Sequence, residues 1–206
     1  MSSDTSSTRR RVPQRARGER RVVELLEAAA EIIAEVGYEA ATMTAIAERA
    51  GASIGAVYQY FPNKEAVVRA LRSQYGMEME ARWAPLTREA ERLSTEELVD
   101  RIFVVLTDFI DFRPAFVALL SAPLSYSRDP AARIRLREHF AELFRKRNSA
   151  LTPAEAFRVA NVTMQIVKGL NPLYAEAKPR ERQEVLREFK LALSAYLIAR
   201  LAAREG

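Results

Sequence analysis

The sequence has no cysteine and a single histidine, His139. Without cysteine there can be no disulfide, no thiolate nucleophile and no thiolate-bound zinc or cluster. One histidine excludes a multi-histidine metal site, and its neighbours Glu138 and Glu142 read as the charged face of a helix. Glycine is also scarce, 7 in 206 residues, about half the average usage of roughly 7%. No Asn-Gly, Asp-Gly or Gly-Gly pair occurs, which leaves little hairpin chemistry. Long apolar runs are missing too. The longest, Ala115 to Leu120, has six residues, against the roughly 20 that span a bilayer. The start, Met1 to Thr8, is polar and leads into arginines, so it does not read as a secretory signal. No glycine-rich phosphate loop is present, and no serine has an evident base beside it. These absences predict a soluble cytoplasmic protein, not an enzyme, with no metal, no cofactor and no membrane partner.

What is present is charge, unevenly placed. The net charge is +5, and residues 1 to 21 hold seven arginines (Arg9, Arg10, Arg11, Arg15, Arg17, Arg20 and Arg21) against two acids, Asp4 and Glu19. The whole excess therefore lies at the N-terminus, and the rest of the chain is neutral. A basic arm on a neutral body suits a polyanion, because each neutralised phosphate releases condensed counterions. A solvated tail rich in Ser and Thr is the competing reading of the arm by itself.

From Glu19 onward apolar residues recur at helical spacing, and the helix edges carry caps and prolines. The spacing predicts a first helix over about 19–36, with Val22, Leu25, Leu26, Ala29, Ile32, Ile33 and Val36 inward and Gly37 as a left-handed cap. Thr42, Ser53 and Asn63 are N-caps for three more. The last of these is predicted to run to Met79 or Trp83, with Pro85 as a boundary. Ser94 to Glu97 has the form of a capping box for a helix over about 95–112. A short helix is bracketed by Pro114 and Pro123, and another opens at Pro130 and reaches about Asn148. A second capping box, Thr152 to Glu155, opens a helix to about Leu170, and Pro172 and Pro179 punctuate the link to a last one over about 180–204. The fold class is all-α, with about nine helices.

The informative stretch is Thr42 to Phe61: two short helices joined by a turn containing Gly51, which describes a helix-turn-helix. Ile46 and Ala50 share the inner side of the first helix, and Ala47 is small enough for the second to cross beside it. Val57 and Tyr60, three apart, can turn inward to the same small core, and core packing is the alternative for every aromatic here. Ser53, Ile54, Gly55, Ala56, Tyr58 and Gln59 are left outward, with no acid among them. Gly55 and Ala56 allow close approach to a major groove, and the helix N-terminus offers amide donors to phosphate. Gln59 can pair with an adenine edge, Ile54 can meet a thymine methyl, and Tyr58 and Lys64 can donate to phosphate. The candidate DNA-contacting set also takes in Tyr60 and, from the arm, Arg15 and Arg17.

The run Thr42…Ile46-Ala47…Ala50-Gly51…Ser53…Gly55…Tyr58-Gln59-Tyr60-Phe61…Lys64-Glu65…Leu71, after a helix ending in Gly37-Tyr38, resembles the N-terminal domain of the TetR family of bacterial transcriptional repressors. The resemblance covers about residues 19 to 71. It implies a three-helix head, a connecting helix, and a larger all-α body that receives a ligand and dimerises. By position, Thr44, Ser53, Gly55, Tyr58, Gln59 and Lys64 correspond to places where family members commonly touch DNA. Ile54 and Ala56 depart from the basic or hydroxylated residues frequent there, so base preference does not carry over. Ala45 departs from the acidic residue that would complete a capping box with Thr42. The domain division expected is a flexible basic arm over 1–18, a helix-turn-helix domain over 19–72 and a ligand-binding and dimerisation domain over 73–206.

In the body, residue chemistry carries the reading. The helix with Leu98, Ile102, Phe103, Leu106, Phe109, Ile110 and Phe112 is apolar beyond one stripe and must be buried centrally. It can line an apolar cavity with Phe116, Leu119, Leu120, Phe140, Phe144 and Met164, walled by Tyr75 and Trp83. Ordinary core is the alternative for each. Such a cavity favours a small apolar or aromatic effector with a few polar anchors, for which Asn161, Tyr126 and Gln165 are candidates. Phe157, Val162 and Ile166, with Phe189, Leu193, Tyr196, Leu197 and Leu201, offer a second apolar face for a homodimer. The leading expectation is a ligand-responsive homodimeric repressor on a palindromic double-stranded DNA operator. A sequence-indifferent architectural DNA binder using the arginine arm is the alternative, and a small-molecule carrier or enzyme with a vestigial head is a third.

Overall fold

The computed structural model describes residues 14–90, 92–122 and 130–202. Among the described residues there are nine helices and no strand: α1 (Gln14–Ala40), α2 (Met43–Arg49), α3 (Ile54–Tyr60), α4 (Lys64–Glu89), α5 (Thr95–Phe112), α6 (Ala115–Ser121), α7 (Pro130–Arg147), α8 (Pro153–Glu176) and α9 (Pro179–Leu201).

Local chemistry places most of the boundaries. The hydroxyl of Thr42 accepts from the Ala45 amide at 3.1 Å, that of Ser53 from Ala56 at 3.2 Å, and the Asn63 carboxamide oxygen from Ala66 at 2.8 Å. The expected capping boxes close at both Ser94/Glu97 and Thr152/Glu155. Gly37 interrupts α1 with φ 79°, and the chain makes one more turn beyond it to Ala40. The inner face of α1 stops short of Val36, which is 52% exposed.

Three boundaries differ from expectation. α1 begins at Gln14 and takes in residues assigned to the arm, so Arg15 and Arg17 belong to a helix. Neither Pro85 nor Pro172 ends its helix: α4 runs on to Glu89 and α8 to Glu176. A helix-interior proline loses one backbone hydrogen bond and costs about 3 kcal/mol. Trp83 and Leu86 flank Pro85 at 4% and 5% exposure, and Leu170 and Tyr174 flank Pro172 at 0% and 7%. Each large side chain so buried contributes about 1.5–3 kcal/mol, which offsets the local penalty. α4 therefore runs unbroken from the first three helices into the body.

One core joins the chain from Leu25 to Leu201. α1, α2 and α3 pack together as a head, α4 leads out of it, and α6 lies against α1. Phe112 departs from expectation, being 58% exposed at the end of α5. Its ring lies under two guanidinium groups, Arg82 at 5.0 Å and Arg113 at 4.7 Å from the centroid. Arg113 also forms a fork with Glu78 on α4 at 2.8 and 2.7 Å. Burial raises the Glu78 pKa, but hydrogen bonds from Arg113 and Gln74, with the charges of Arg113 and Arg82, outweigh it and hold the carboxyl below its ordinary value.

Candidate nucleic-acid interface and body cavity

Gly51 makes the turn of the head. It takes φ +56°, the left-handed region that is readily available to glycine. Its amide donates to Glu48 O at 3.1 Å and the Ala52 amide to Ala47 O at 2.9 Å, so the last carbonyls of α2 are satisfied as the chain reverses. Ile46 and Ala47 on α2 and Val57 on α3 are buried at 0%, 3% and 0% exposure and lock the two helices together. Arg49, at the end of α2, forks onto Glu35 at 2.8 and 2.7 Å and reaches Glu31 at 3.0 Å, so two acids of α1 are paired. Those hydrogen bonds lower the Glu35 pKa.

This leaves one face of α3 unused by the head. Ile54 is 40% exposed, Tyr58 51% and Tyr60 38%, while Gly55 and Gln59 are exposed and Ala56 is half-buried. Tyr60 does not join Val57 in the core: three residues turn a helix by less than a full circle, and only Phe61, at 7% exposure, closes the core at this end. Thr44 on α2 and Arg17 on α1 are exposed, whereas the Arg15 side chain lies outside the description. The Ser53 hydroxyl is occupied as the cap of α3. Lys64 differs most from its expected role. Its ammonium donates to Tyr38 O at 2.9 Å and Glu39 O at 3.0 Å, and sits 4.4 Å from the Tyr38 ring centroid. It ties the start of α4 to the end of α1 and so positions the corner beyond α3. No acid stands on the exposed α3 face, which carries the side chains of Ile54, Tyr58, Gln59 and Tyr60.

Gly55 gives a sharp expected result. An added Cβ would meet nothing within 4 Å, so Gly55→Ala should raise helix stability by about 0.5–1 kcal/mol. If α3 lies in a groove, the same methyl should weaken DNA binding. Thermal melts beside DNA titrations check this; equal DNA affinity in the alanine variant contradicts a close approach at residue 55.

In the body, α4, α5, α6, α7 and α8 surround a small cavity of about 60 Å³, partly open to solvent. Of the expected lining residues, Trp83, Leu106, Phe116, Leu120 and Met164 do face it. Phe103, Phe109, Ile110, Phe140 and Phe144 instead belong to the filled core, at 0% to 8% exposure. The phenylalanines among them pack on other rings behind the lining, as in the edge-on pair of Phe109 with the cavity-lining Phe116 at 5.0 Å. Asn161 is half-buried and Gln165 exposed, neither lining the cavity, and Tyr126 lies outside the described residues. The sequence reading missed Met79, Leu136, Val167, Lys168 and Asn171. Their helical phase was the available signal, since Val167 and Asn171 repeat Met164 at three- and four-residue steps. His139 is exposed on α7.

Arg72 was also missed. It is 8% exposed on α4, and its Nε donates to Leu119 O at 3.0 Å and its Nη2 to both Leu119 O and Ala122 O, the latter at 2.9 Å. Burial lowers its pKa, yet a guanidinium keeps its charge. The C-terminal carbonyls of α6, the helix that carries Phe116 and Leu120, are thus held by the helix that leaves the head.

The expected dimer residues divide. Leu193, Leu197 and Leu201 are buried in the chain's own core at 0%, 0% and 8% exposure, which removes them from any subunit contact. Phe157, Ile166, Phe189 and Tyr196 are partly buried against that core. The exposed apolar residues of the last two helices are Val162 and Leu173 on α8, at 42% and 50%, and Leu191 and Ile198 on α9, at 65% and 47%. Gly169 brings α9 close, since a Cβ there would come within 3.2 Å of the Phe189 ring.

An all-α chain with a cap-defined helix-turn-helix head, an uncharged exposed second helix and a helical body around a small cavity has the architecture of a DNA-binding regulator. Residues 25–71 match the bacterial regulatory proteins of the tetR family, and residues 92–197 match the tetracyclin repressor-like C-terminal domain. The chain belongs to the TetR family of bacterial transcriptional regulators. Over 56 residues it is 45% identical to the HTH-type transcriptional repressor KstR of Mycolicibacterium smegmatis, a match covering 27% of this chain and 26% of that protein. The curated relatives are thus matched over about a quarter of their length. A TetR-family regulator from Pectobacterium atrosepticum has the same fold, with TM-score 0.69, 20% identity, and 92% and 98% of the two chains covered. A TetR variant from Acinetobacter baumannii, solved in complex with minocycline, shares the fold with TM-score 0.59 at 17% identity, covering 85% of this chain and 93% of that one. Among the described residues no helix is long and apolar enough to cross a membrane.

Proposed function

We propose that the chain acts as a homodimeric, ligand-responsive repressor that inserts α3 into successive major grooves of a palindromic operator. The observation that carries this is the α3 face, on which Ile54, Gly55, Tyr58, Gln59 and Tyr60 are all exposed while Val57 alone anchors the helix. Such a set leaves the protein no internal use for the carboxamide of Gln59, whose donor and acceptor fit an adenine edge. Thr44 and Arg17 are free to meet flanking phosphates, with Arg15 beside them in sequence. Ser53 and Lys64 support the interface as a cap and as a brace.

One seven-residue helix reads few base pairs, and two related by a dyad read an inverted repeat. The second copy is drawn from the exposed apolar residues of α8 and α9. Val162 and Leu173 are eleven apart and Leu191 and Ile198 seven apart, so each pair shares one side of its helix. The cavity supplies the response. Arg72 links α6 to α4, and α6 touches both the cavity and α1. A molecule pushing Phe116 or Leu120 therefore acts on the helices that set the spacing of the two heads. That coupling is limited to the ligand's differential affinity for the two states, about 1–3 kcal/mol. The minocycline-bound neighbour supports a small molecule in a body of this fold.

The test is selection of genomic fragments by the purified protein, then titration of the selected site against excess bulk DNA. Gln59→Ala is expected to cost about 1–3 kcal/mol at each half-site and relax the choice at one base pair. A wild-type protein that yields its site to bulk DNA would instead be the architectural binder, and an unchanged Gln59→Ala profile would place the reading helix in another register.

A further inference from the structure

The side of α8 opposite its buried residues is a stripe of exposed positions, Arg158, Val162, Gln165, Gly169, Leu173 and Glu176, which follow one another at steps of three and four residues. Arg158 and Glu176 are 18 residues apart, about five full turns, and so project in the same direction from the two ends of the stripe. Among the described residues neither side chain has an ion pair or a hydrogen bond, whereas Lys190 on α9 meets Asp100 on α5 at 2.8 Å.

Exposed charges are ordinarily left to water. This stripe is unusual in matching itself read backwards. Reversed about residue 167, Arg158 falls opposite Glu176, Gln165 opposite Gly169, and Val162 opposite position 172, beside Leu173. A second copy of α8 laid antiparallel would therefore meet opposite charges at both ends and apolar side chains between them. A parallel copy would set Arg158 on its own mate, a juxtaposition that is penalised.

α9 points to the same centre independently. A Cβ on Gly169 would come within 3.2 Å of the Phe189 ring, and the Arg182 guanidinium lies 5.1 Å from the Tyr174 ring centroid. The two helices run antiparallel, so residue 167 of α8 stands level with about residue 190 of α9. Leu191, the most exposed large apolar residue of α9 at 65%, lies at that level. One dyad there brings Leu191 onto its own mate and Arg158 to Glu176 of the partner subunit.

We propose that two copies of the chain pack α8 against α8 in antiparallel register about a dyad at residue 167, with Arg158 of each paired to Glu176 of the partner subunit. The proposal rests on the homodimer reading and names the residues that set its register and its choice of partner. An isologous contact repeats every pair, so this ion pair occurs twice. Placed at the two ends of an apolar contact, the pairs act chiefly by excluding wrong registers and wrong partners.

The test uses the full chain without DNA, with Arg158→Glu and Glu176→Arg made singly and together. Each single variant sets two like-charged pairs across the contact, while a one-to-one mixture of the two restores both opposite pairs in the heterodimer. Sedimentation gives the dissociation constants, and native mass spectrometry separates the dimers by mass. Each single variant is expected to keep the wild-type circular dichroism and to dimerise at least tenfold more weakly. The mixture is expected to yield a heterodimer within about threefold of wild-type affinity. The double variant should regain its own homodimer and exclude the wild-type chain, because that pairing sets Arg on Arg and Glu on Glu. Single variants that dimerise as the wild type does, a mixture as weak as its components, or a double variant that exchanges freely with the wild type would each overturn the proposal. The double variant decides even if a single variant misfolds. A wild-type monomer would remove the homodimer itself, and a failure of the DNA reading would show separately, in operator binding by the wild type.

Discussion

Leu191→Asp is expected to leave a folded monomer that no longer recognises an operator. Leu191 is the most exposed large apolar side chain of α9, at 65%, so a surface carboxylate there should change monomer stability by only about 0.5 kcal/mol. In an isologous interface the same substitution appears twice, and each carboxylate would be desolvated without a partner. Loss of the dimer separates the two reading heads. Affinity should then fall from the about 10⁻⁸–10⁻¹¹ M of specific complexes toward the about 10⁻⁴–10⁻⁶ M of non-specific contact. Light scattering and circular dichroism on one sample, with a DNA titration beside them, check all three parts. Val162→Asp, on α8, should behave alike. A Leu191→Asp protein that stays dimeric would move the subunit contact away from α9.

The second large effect is expected at Arg72. Its guanidinium holds Leu119 O and Ala122 O together against α4, and a hydrogen bond to a charged group contributes about 1.5–3 kcal/mol. Methionine would restore the apolar stem and leave those carbonyls without their donor, while also removing a cation that burial disfavours. A net loss of about 2–4 kcal/mol follows, several degrees in melting temperature for a chain of this length. The larger consequence is for control. With α6 released from α4, ligand in the cavity should no longer change operator affinity, so a response of about 5–150-fold in the wild type should shrink toward none. Arg72→Lys keeps the charge but has a single nitrogen for two carbonyls, and should fall between. A stable Arg72→Met protein with a full ligand response would show that the signal travels by another route.

Much of the head was legible because its determinants are local. Thr42, Ser53 and Asn63 each bond an amide three residues on, and Gly51 takes the backbone region that its place between two short helices requires. Distant partners were not legible. The acceptors of Lys64 lie at Tyr38 and Glu39, and those of Arg72 at Leu119 and Ala122. Spacing along one helix carries no trace of either. Arg72 did have a weak signature, since it falls four residues after Val68 and three before Tyr75, on the inward phase of α4. The prolines misled for the opposite reason: Pro85 and Pro172 are strong local stops that burial on both sides outweighs.

The body shows where apolar periodicity loses its resolving power. α9 carries leucine on two sides, and packing against α8 and α5 decides that Leu193 and Leu197 turn inward while Leu191 stays exposed. Phe109 and Phe112 lie three apart near the end of α5, yet one is fully buried and the other lies under Arg82 and Arg113. Asn161 and Gln165, expected at the cavity, lie off the inward phase of α8, whereas the buried Asn171 lies on it.

The central claim is that two copies of this chain read an inverted repeat with paired α3 helices. Sedimentation of the full chain with a duplex taken from genomic selection tests it directly. The expected result is a DNA-free dimer and a complex whose protected half-sites are centred one helical turn apart, about 34 Å, or a multiple of it. A stable monomer that binds the selected duplex no more tightly than bulk DNA would contradict it.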